Sequence, residues 1–295
     1  MEMKAEDEYL HPPLLNDPLW MESYHFNGYD PANKMGITIY RGIKSVLRFK
    51  VEIVTLYAGN PLLFRNPEEF ESEDTLNVGS LKMEPLQPLK KWRIQMNDSF
   101  QKIENGNPSN TFREVKFDLY FDSNTSIYAF STHRGNRYEQ PGLLKGRMKI
   151  GEKTIDFEGR GIRDHSWEIR NVPNWGEYYW LMGCFGSGEA VSFSYMRVDS
   201  NPMCHGWLKT DKYNEVRNVQ VSPRFSGEFL KRCKINVETS KKELELSLQV
   251  ISFLPIPKEL MTHGSLPTEE RKRKSVENLI ELDGGKGYGI MWYGR

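Results

Sequence analysis

The sequence has little cysteine and no long hydrophobic run. Only three of its 295 residues are cysteine, at Cys184, Cys204 and Cys233, and none forms a CxxC motif. An odd number of cysteines cannot all pair, so we expect no disulfide framework and a reducing compartment, the cytoplasm. The longest uncharged apolar stretch, residues 178–185, is far shorter than the roughly 20 residues of a membrane-spanning helix. The acidic first residues lack the apolar core of a secretory signal, so we expect neither a signal nor a membrane span.

An excess of one charge sign and the common cofactor motifs are also missing. Lys plus Arg and Asp plus Glu both number 40, which gives a formal net charge of zero. A non-specific nucleic-acid binder would carry a basic excess, so we expect no nucleic-acid partner. No GxGxxG run precedes a helix, and there is no Walker loop, HExxH motif or GxSxG elbow. The sequence therefore predicts no nucleotide, no metal and no other cofactor.

Alternation of apolar and polar residues is the dominant pattern in the chain. It is clearest over residues 115–121 and 244–250, where every second residue is apolar. Such runs bury one face of a β-strand and expose the other. Helical spacing is scarce, and residues 268–282 fit either a helix or a strand. Residues 283–292 read as a late hairpin with Asp-Gly-Gly in its turn.

Many short strands separated by turns predict an all-β fold of sandwich or barrel modules. Two modules fit the length of the chain. The least strand-like break near the middle is residues 133–137. We therefore predict an N-terminal domain over residues 1–136 and a C-terminal domain over residues 137–295.

The densest polar cluster is the run from Gly159 to Arg170, GRGIRDHSWEIR. In a strand, Asp164 would face one way, and His165 and Trp167 the other. Burying such groups costs several kcal/mol unless they bond to one another. One interpretation is a satisfied structural network. The other is the polar wall of a pocket, with Asp164 or His165 as a proton donor.

Two aromatic and polar stretches accompany this cluster. Residues 137–142 include Tyr138 and Glu139, and residues 175–180 include Tyr179. Most of these aromatics fit ordinary sheet packing. Aromatic clefts with few polar groups also hold apolar ligands, and their ring faces attract a carbocation.

These motifs resemble those of a known group of proteins. The YEQP run at residues 138–141, Gly146 and the GRGIRDHSW run at residues 159–167 resemble a C-terminal domain of unknown function in the superfamily of AttH-like proteins and carotenoid 1,2-hydratases. The run at residues 283–289 fits the closing hairpin of that domain. Residues 22–36 resemble its N-terminal companion. Glu168 departs from the pattern, since the family commonly has glycine there.

The resemblance implies two lipocalin-like β-barrel domains and a pocket for a hydrophobic small molecule. In the hydratase branch, the His and Trp of the signature take part in adding water to an alkene, and they correspond to His165 and Trp167. A following strand supplies a Tyr and an Asp in that branch. The matching strand here, residues 190–198, has Tyr195 but no acid.

We therefore expect a cofactor-independent enzyme, a hydratase or other lyase, a cyclase or an isomerase, that acts on an isoprenoid-like or polyketide-like molecule. The alternative is a non-catalytic carrier of a hydrophobic ligand. A weaker third interpretation is a protein-interaction module. The predicted pocket lies where the strand with residues 163–167 meets the strand with residues 175–185. Its predicted catalytic residues are Asp164 and His165, and its predicted substrate-binding residues are Trp167, Tyr179, Tyr138, Glu139 and Tyr195.

Overall fold

The structure, a computed structural model, describes residues 2–71, 76–77, 79–132, 135–170, 175–198, 201–257 and 274–294. It divides into two compact units, Met1–Asn171 and Val172–Arg295. Apart from two 3-10 helices, Ala5–Glu8 and Leu14–Asn16, the regular elements of the described residues are strands. The fold is all-β with two lipocalin-like domains, as predicted. No helix in these residues has the length and apolarity to cross a membrane.

Ten strands form one antiparallel sheet in the first unit. They are β1 (Trp20–Asp30), β2 (Met35–Lys44), β3 (Phe49–Ala58), β4 (Asn60–Glu69), β5 (Leu81–Gln87), β6 (Lys91–Glu104), β7 (Asn107–Asp122), β8 (Tyr128–Thr132), β9 (Gly135–Ile150) and β10 (Lys153–Ile169). Their order is β10-β1-β2-β3-β4-β6-β7-β9-β8, with β5 beside β6. Because β9 also pairs with β10, the sheet returns to its first strand and has an inner face.

The core of the first unit lies on this inner face. It is formed by the apolar residues that alternate with polar ones along each strand. On β7, Val115, Phe117, Leu119 and Phe121 are buried, and the residues between them are exposed or half-buried. They pack with Trp92 and other large apolar side chains of the sheet. Full burial of such a side chain contributes about 1.5–3 kcal/mol. The predicted strand at residues 115–121 is confirmed.

The second unit is a closed eight-stranded barrel. Its strands are β11 (Trp175–Phe185), β12 (Ala190–Val198), β13 (Asn201–Lys209), β14 (Tyr213–Ser226), β15 (Phe229–Thr239), β16 (Glu243–Pro257), β17 (Lys274–Leu282) and β18 (Gly287–Gly294). Each strand pairs with the next, and β18 pairs with β11. Apolar side chains such as Leu181, Ile235 and Leu246 form its core.

The predicted late hairpin is present. Leu282 of β17 pairs with Gly287 of β18, and Asp283, Gly284 and Gly285 between them have φ of 49°, 67° and 90°. Glycine adopts positive φ without steric cost, which explains the Gly-Gly pair in this turn. Of the two alternatives for residues 268–282, a helix or a strand, residues 274–282 form a strand. Residues 268–273 lie outside the described part of the chain.

The boundary between the units differs from the predicted one at residues 136 and 137. Strands β9 and β10 belong to the first unit, because β9 pairs with β7 and β8 and β10 pairs with β1. The RDHSW run therefore lies in the first unit, and the second unit begins at Val172. Local turn composition at residues 133–137 does not reveal these long-range pairings.

The buried His25 makes stability depend on pH. His25 lies on β1 between Tyr40 of β2 and Asp164 of β10. Burial, helped by the charge of Arg137, lowers its pKa to about 3. The unfolded chain binds a proton at this residue near pH 6.5 and the folded chain does not. Stability is therefore fully present above that pH and falls as the pH drops toward 3.

We expect the variant His25→Gln to remove this contribution. Denaturant unfolding of both proteins between pH 7.5 and pH 5 measures it. Below about pH 6.5, the parent should lose roughly 1.4 kcal/mol per pH unit relative to the variant. A difference between the two proteins that stays constant with pH would contradict this assignment.

Candidate functional site

A polar and aromatic cluster lies on the inner face of the first sheet, where β1, β10 and β9 are neighbours. In the strand register, His165 of β10 stands between Tyr24 of β1 and Tyr138 of β9. Tyr24 also belongs to the apolar core of this unit, which places His165 on the inner face. Trp167, two residues further along β10, packs with Trp20 and Tyr138. The predicted shared face of His165 and Trp167 is therefore observed.

His165 is held by two side chains. Its Nε2 lies 2.7 Å from Oε1 of Glu22, and its Nδ1 lies 3.3 Å from the Tyr138 hydroxyl. The ring stacks on Tyr24 with 4.1 Å between ring centroids. Burial lowers the pKa of His165, although the hydrogen bond to Glu22 opposes the shift. Glu22, and not the adjacent Asp164, therefore orients the imidazole.

The segment before β1 completes the cluster with two further side chains. Glu8 is fully buried, accepts a hydrogen bond from the Tyr138 hydroxyl at 2.7 Å and pairs with Arg163 at 2.8 Å. The Nδ1 atom of His11 lies 3.0 Å from Oε1 of Glu22. We call the six residues Glu8, His11, Glu22, Tyr138, Arg163 and His165 the His165 cluster.

The carboxylates of this cluster are held ionised by their partners. Burial opposes the charge of Glu8, but Arg163 outweighs it and lowers the pKa of the carboxyl. Burial likewise opposes the charge of Glu22, and the hydrogen bonds from His11 and His165 outweigh it. Burial raises the pKa of Tyr138 well above its ordinary value, so its hydroxyl stays protonated. The cluster therefore combines ionised carboxylates with protonated donors in a buried space.

Asp164 belongs to a separate group on the opposite face of β10. Its carboxylate accepts a hydrogen bond from Nε of Arg137, whose Nη2 lies 3.1 Å from Glu139. Burial raises the pKa of Asp164 to about 7; Arg137 opposes this shift and Glu139 adds to it. Two buried carboxyls share one guanidinium here. Asp164 and Glu139 thus lie together, on the face of the sheet that does not carry His165.

A cavity of about 550 Å³ adjoins the His165 cluster in the first unit. Its apolar walls include Met3, Leu89, Ile127 and Ala129, and these four side chains pack against the group of Trp20, Tyr138 and Trp167. Gln140 also lines it, and the side-chain oxygen of Gln140 accepts a hydrogen bond from Arg163 at 2.8 Å. The other lining residues are polar or charged: Glu2, Lys90, Ser123, Asn124, Thr125 and Ser126. A cleft that combines apolar walls with polar groups can hold a small molecule.

The structure brings only some of the predicted site residues together. Tyr138, His165 and Trp167 meet in the first unit, and Tyr179 and Tyr195 lie in the second. Tyr179 pairs with Tyr195 across β11 and β12, with 6.3 Å between ring centroids. The predicted pairing of the RDHSW strand with the strand of residues 175–185 is wrong. Strand β10 pairs with β1 and β9, whereas β11 pairs with β12 and β18.

Three residues of the cluster, Glu8, His11 and Glu22, are not among the predicted site residues. Glu8 and His11 lie in a short segment without strand periodicity, so no pattern marks them. Glu22 carries a signal, because it shares an inner strand face with Tyr24 and Phe26. An acid that alternates with aromatic residues in a buried strand needs a partner.

The fold is similar to those of two solved proteins. An AttH-like protein from Nitrosomonas europaea matches with a TM-score of 0.59 and 12% identity over 92% of both chains. Kievitone hydratase from Nectria haematococca matches with a TM-score of 0.55 and 9% identity, over 92% of this chain and 88% of that chain. No curated protein matches the sequence. A family model matches residues 4–294, and the chain therefore belongs to the family described as Domain of unknown function (DUF7064).

Proposed function

We propose that this protein is a hydratase-like enzyme that adds water to a carbon–carbon double bond of a hydrophobic small molecule. The observation that carries the proposal is the position of the buried His165, between Glu22 and Tyr138 and near a cavity whose apolar side chains pack against Tyr138 and Trp167. The similarity of fold to kievitone hydratase supports it. The membership in the AttH-like and carotenoid hydratase superfamily that the RDHSW run implies is part of the same proposal.

The chemistry needs one group that exchanges protons and a surface that tolerates positive charge. A proton passes from the enzyme to one alkene carbon and leaves a carbocation on the other. A water oxygen then bonds to that carbon and returns one proton to the enzyme, so the sum is alkene plus water. We assign proton exchange to the hydrogen-bonded pair of His165 Nδ1 and the Tyr138 hydroxyl, which leaves Nε2 of His165 to Glu22. The rings of Tyr138 and Trp167 would stabilise the cation through their faces.

The cavity combines four apolar side chains with seven polar or charged ones, which favours a hydrophobic substrate that also carries oxygen groups. Met3, Leu89, Ile127 and Ala129 offer only carbon and sulfur side-chain atoms, and Gln140 supplies a polar side chain to orient an oxygen-bearing ligand. Cyclisation or isomerisation of an alkene begins with the same protonation. A carrier of the same ligand class is the second candidate, since apolar walls alone suffice to hold it.

The function is tested with kievitone as the first probe, because the hydratase of similar fold is named for it. The full chain is incubated with kievitone and with a panel of isoprenoid-like and polyketide-like alkenes, and products are separated by liquid chromatography and mass spectrometry. The expected product is heavier than the probe by one water molecule. A product of unchanged mass indicates isomerisation or cyclisation. Binding without any product would favour the carrier.

We predict that His165→Gln lowers the hydration rate by roughly 10²–10⁴-fold, the size of a general acid–base contribution. The matched control is His25→Gln, since both replace a buried histidine of the first sheet and His25 lies on the other face of its strand. The control should keep its rate at pH 7.5. Equal losses in the two variants, or full activity of His165→Gln, would contradict the role of His165.

We predict that Ala129→Trp fills the cavity and raises KM or abolishes binding of the probe, because Ala129 forms part of its wall. Ser131→Trp is the matched control, since Ser131 is an exposed residue of the same strand that does not line this cavity. Isothermal titration of the probe into both variants measures the effect. Unchanged affinity in Ala129→Trp would place the ligand elsewhere.

The catalytic role predicted for Asp164 is tested by Asp164→Asn. Because its carboxylate accepts a hydrogen bond from Arg137, we expect a loss of about 1–3 kcal/mol in stability and a hydration rate within a few-fold of the parent. Thermal unfolding and the product assay measure the two quantities. An unchanged Tm together with a rate loss of 10²-fold or more would instead support Asp164 as the proton donor.

A further inference from the structure

Three side chains of the His165 cluster converge with the spacing of metal ligands. One donor atom from each of His11, Glu22 and His165 lies within 4.8 Å of the other two. We propose that these three residues bind a divalent metal ion, with zinc as the best fit. The site deepens the proposed function, because it adds an ion to the cluster to which that function is assigned.

The donor set selects the class of metal. Imidazole nitrogens suit zinc and related transition metals, whereas magnesium and calcium prefer oxygen donors only. Two imidazoles and one carboxylate are the protein ligands of one class of catalytic zinc sites, which keep a fourth position for water. His11, Glu22 and His165 supply this set from three separate parts of the chain.

The distances between the donor atoms suit a small ion if the three side chains move slightly apart. In a tetrahedral site with bonds of about 2.0–2.1 Å, neighbouring donor atoms are about 3.3 Å apart. Oε1 of Glu22 lies 3.0 Å from Nδ1 of His11 and 2.7 Å from Nε2 of His165. Both separations reach the tetrahedral value by movements of less than about 1 Å. His11 lies outside the strands and is partly exposed, so it can make this adjustment.

The outer nitrogens of both imidazoles already have partners. Nδ1 of His165 lies 3.3 Å from the Tyr138 hydroxyl, and Nε2 of His11 lies 3.5 Å from a carboxylate oxygen of Asp7. A neutral imidazole binds a metal through one nitrogen and carries its proton on the other. On metal binding, the proton of each ring would move from the nitrogen that faces Glu22 to the outer nitrogen. There it would be donated to the oxygen of Tyr138 or Asp7. Such outer partners orient the ligands of known metal sites.

A divalent cation also suits the negative charge of the buried Glu22 carboxylate. Glu22 is fully buried, and its carboxylate has only neutral or titratable donors as hydrogen-bond partners: His11, His165 and Tyr24. Arg163, the guanidinium of the cluster, pairs with Glu8 instead. An ion bound by Glu22 would take over from the hydrogen bonds of the two imidazoles as the partner of this buried charge. It would also polarise a bound water for addition to the substrate.

The test uses the full chain without any substrate. The protein is dialysed against EDTA and then titrated with zinc chloride in a calorimeter, and bound zinc is counted by mass spectrometry of the desalted sample. We expect one zinc ion per chain. Cobalt(II) in place of zinc should give the visible absorption bands of a tetrahedral site.

Variants decide which residues bind the ion. His11→Ala should weaken zinc binding by more than the roughly 10–100-fold that loss of an outer partner causes, and Asp7→Asn should fall within that range. His205→Ala in the second unit is the matched control and should bind zinc like the parent. Thermal unfolding checks that every variant is folded, and His11 lies outside the strands of the sheet.

Two results would overturn the metal site: no zinc bound by the parent, or zinc bound equally well by His11→Ala. Failure of the metal site and failure of the proposed function are distinguishable. Hydration of kievitone by EDTA-treated protein that binds no zinc would reject the metal and keep the function. Zinc binding that depends on His11, without any hydrated product, would keep the metal site and reject the function.

Discussion

The arrangement of the first unit depends on the buried carboxylate of Glu22. It receives hydrogen bonds from His165 on the neighbouring strand and from both the ring and the backbone of His11. A charge without these partners would cost several kcal/mol at such a depth. The same carboxylate therefore fixes the His165 ring and anchors the segment before β1. That segment in turn brings Glu8 to Arg163 and His11 onto the face of Trp167, 3.9 Å between ring centroids.

Much of the fold follows from the period of two in the sequence. The alternation at residues 115–121 predicted a strand with one buried face, and β7 has it. The same rule put His165 and Trp167 on one face and Asp164 on the other, which their contacts bear out. Tyr138, singled out from a different stretch, proved to be the register partner of His165. Local patterns suffice here because a strand determines its own faces.

Long-range pairing is what the sequence did not reveal. His165 and Glu22 are 143 positions apart, and Arg163 and Glu8 are 155 apart. Nothing local selects these partners among the many acids of the chain. The domain boundary also depends on long-range pairing. The composition of β9 and β10 does not show whether these strands extend the first sheet, by pairing with β7 and β1, or begin a new one. Residues 135–137 of the predicted break lie in β9, which pairs with β8 in the same sheet.

A structure of the protein with bound kievitone tests the proposed site most directly. The site described here requires the ligand in the cavity between Met3, Leu89, Ile127 and Ala129, with its alkene toward Tyr138 and His165. Ligand density in that cavity, with an alkene carbon in contact with the His165 cluster, would support it. Density only inside the second barrel, beside Tyr179 and Tyr195, with the first cavity empty, would contradict it.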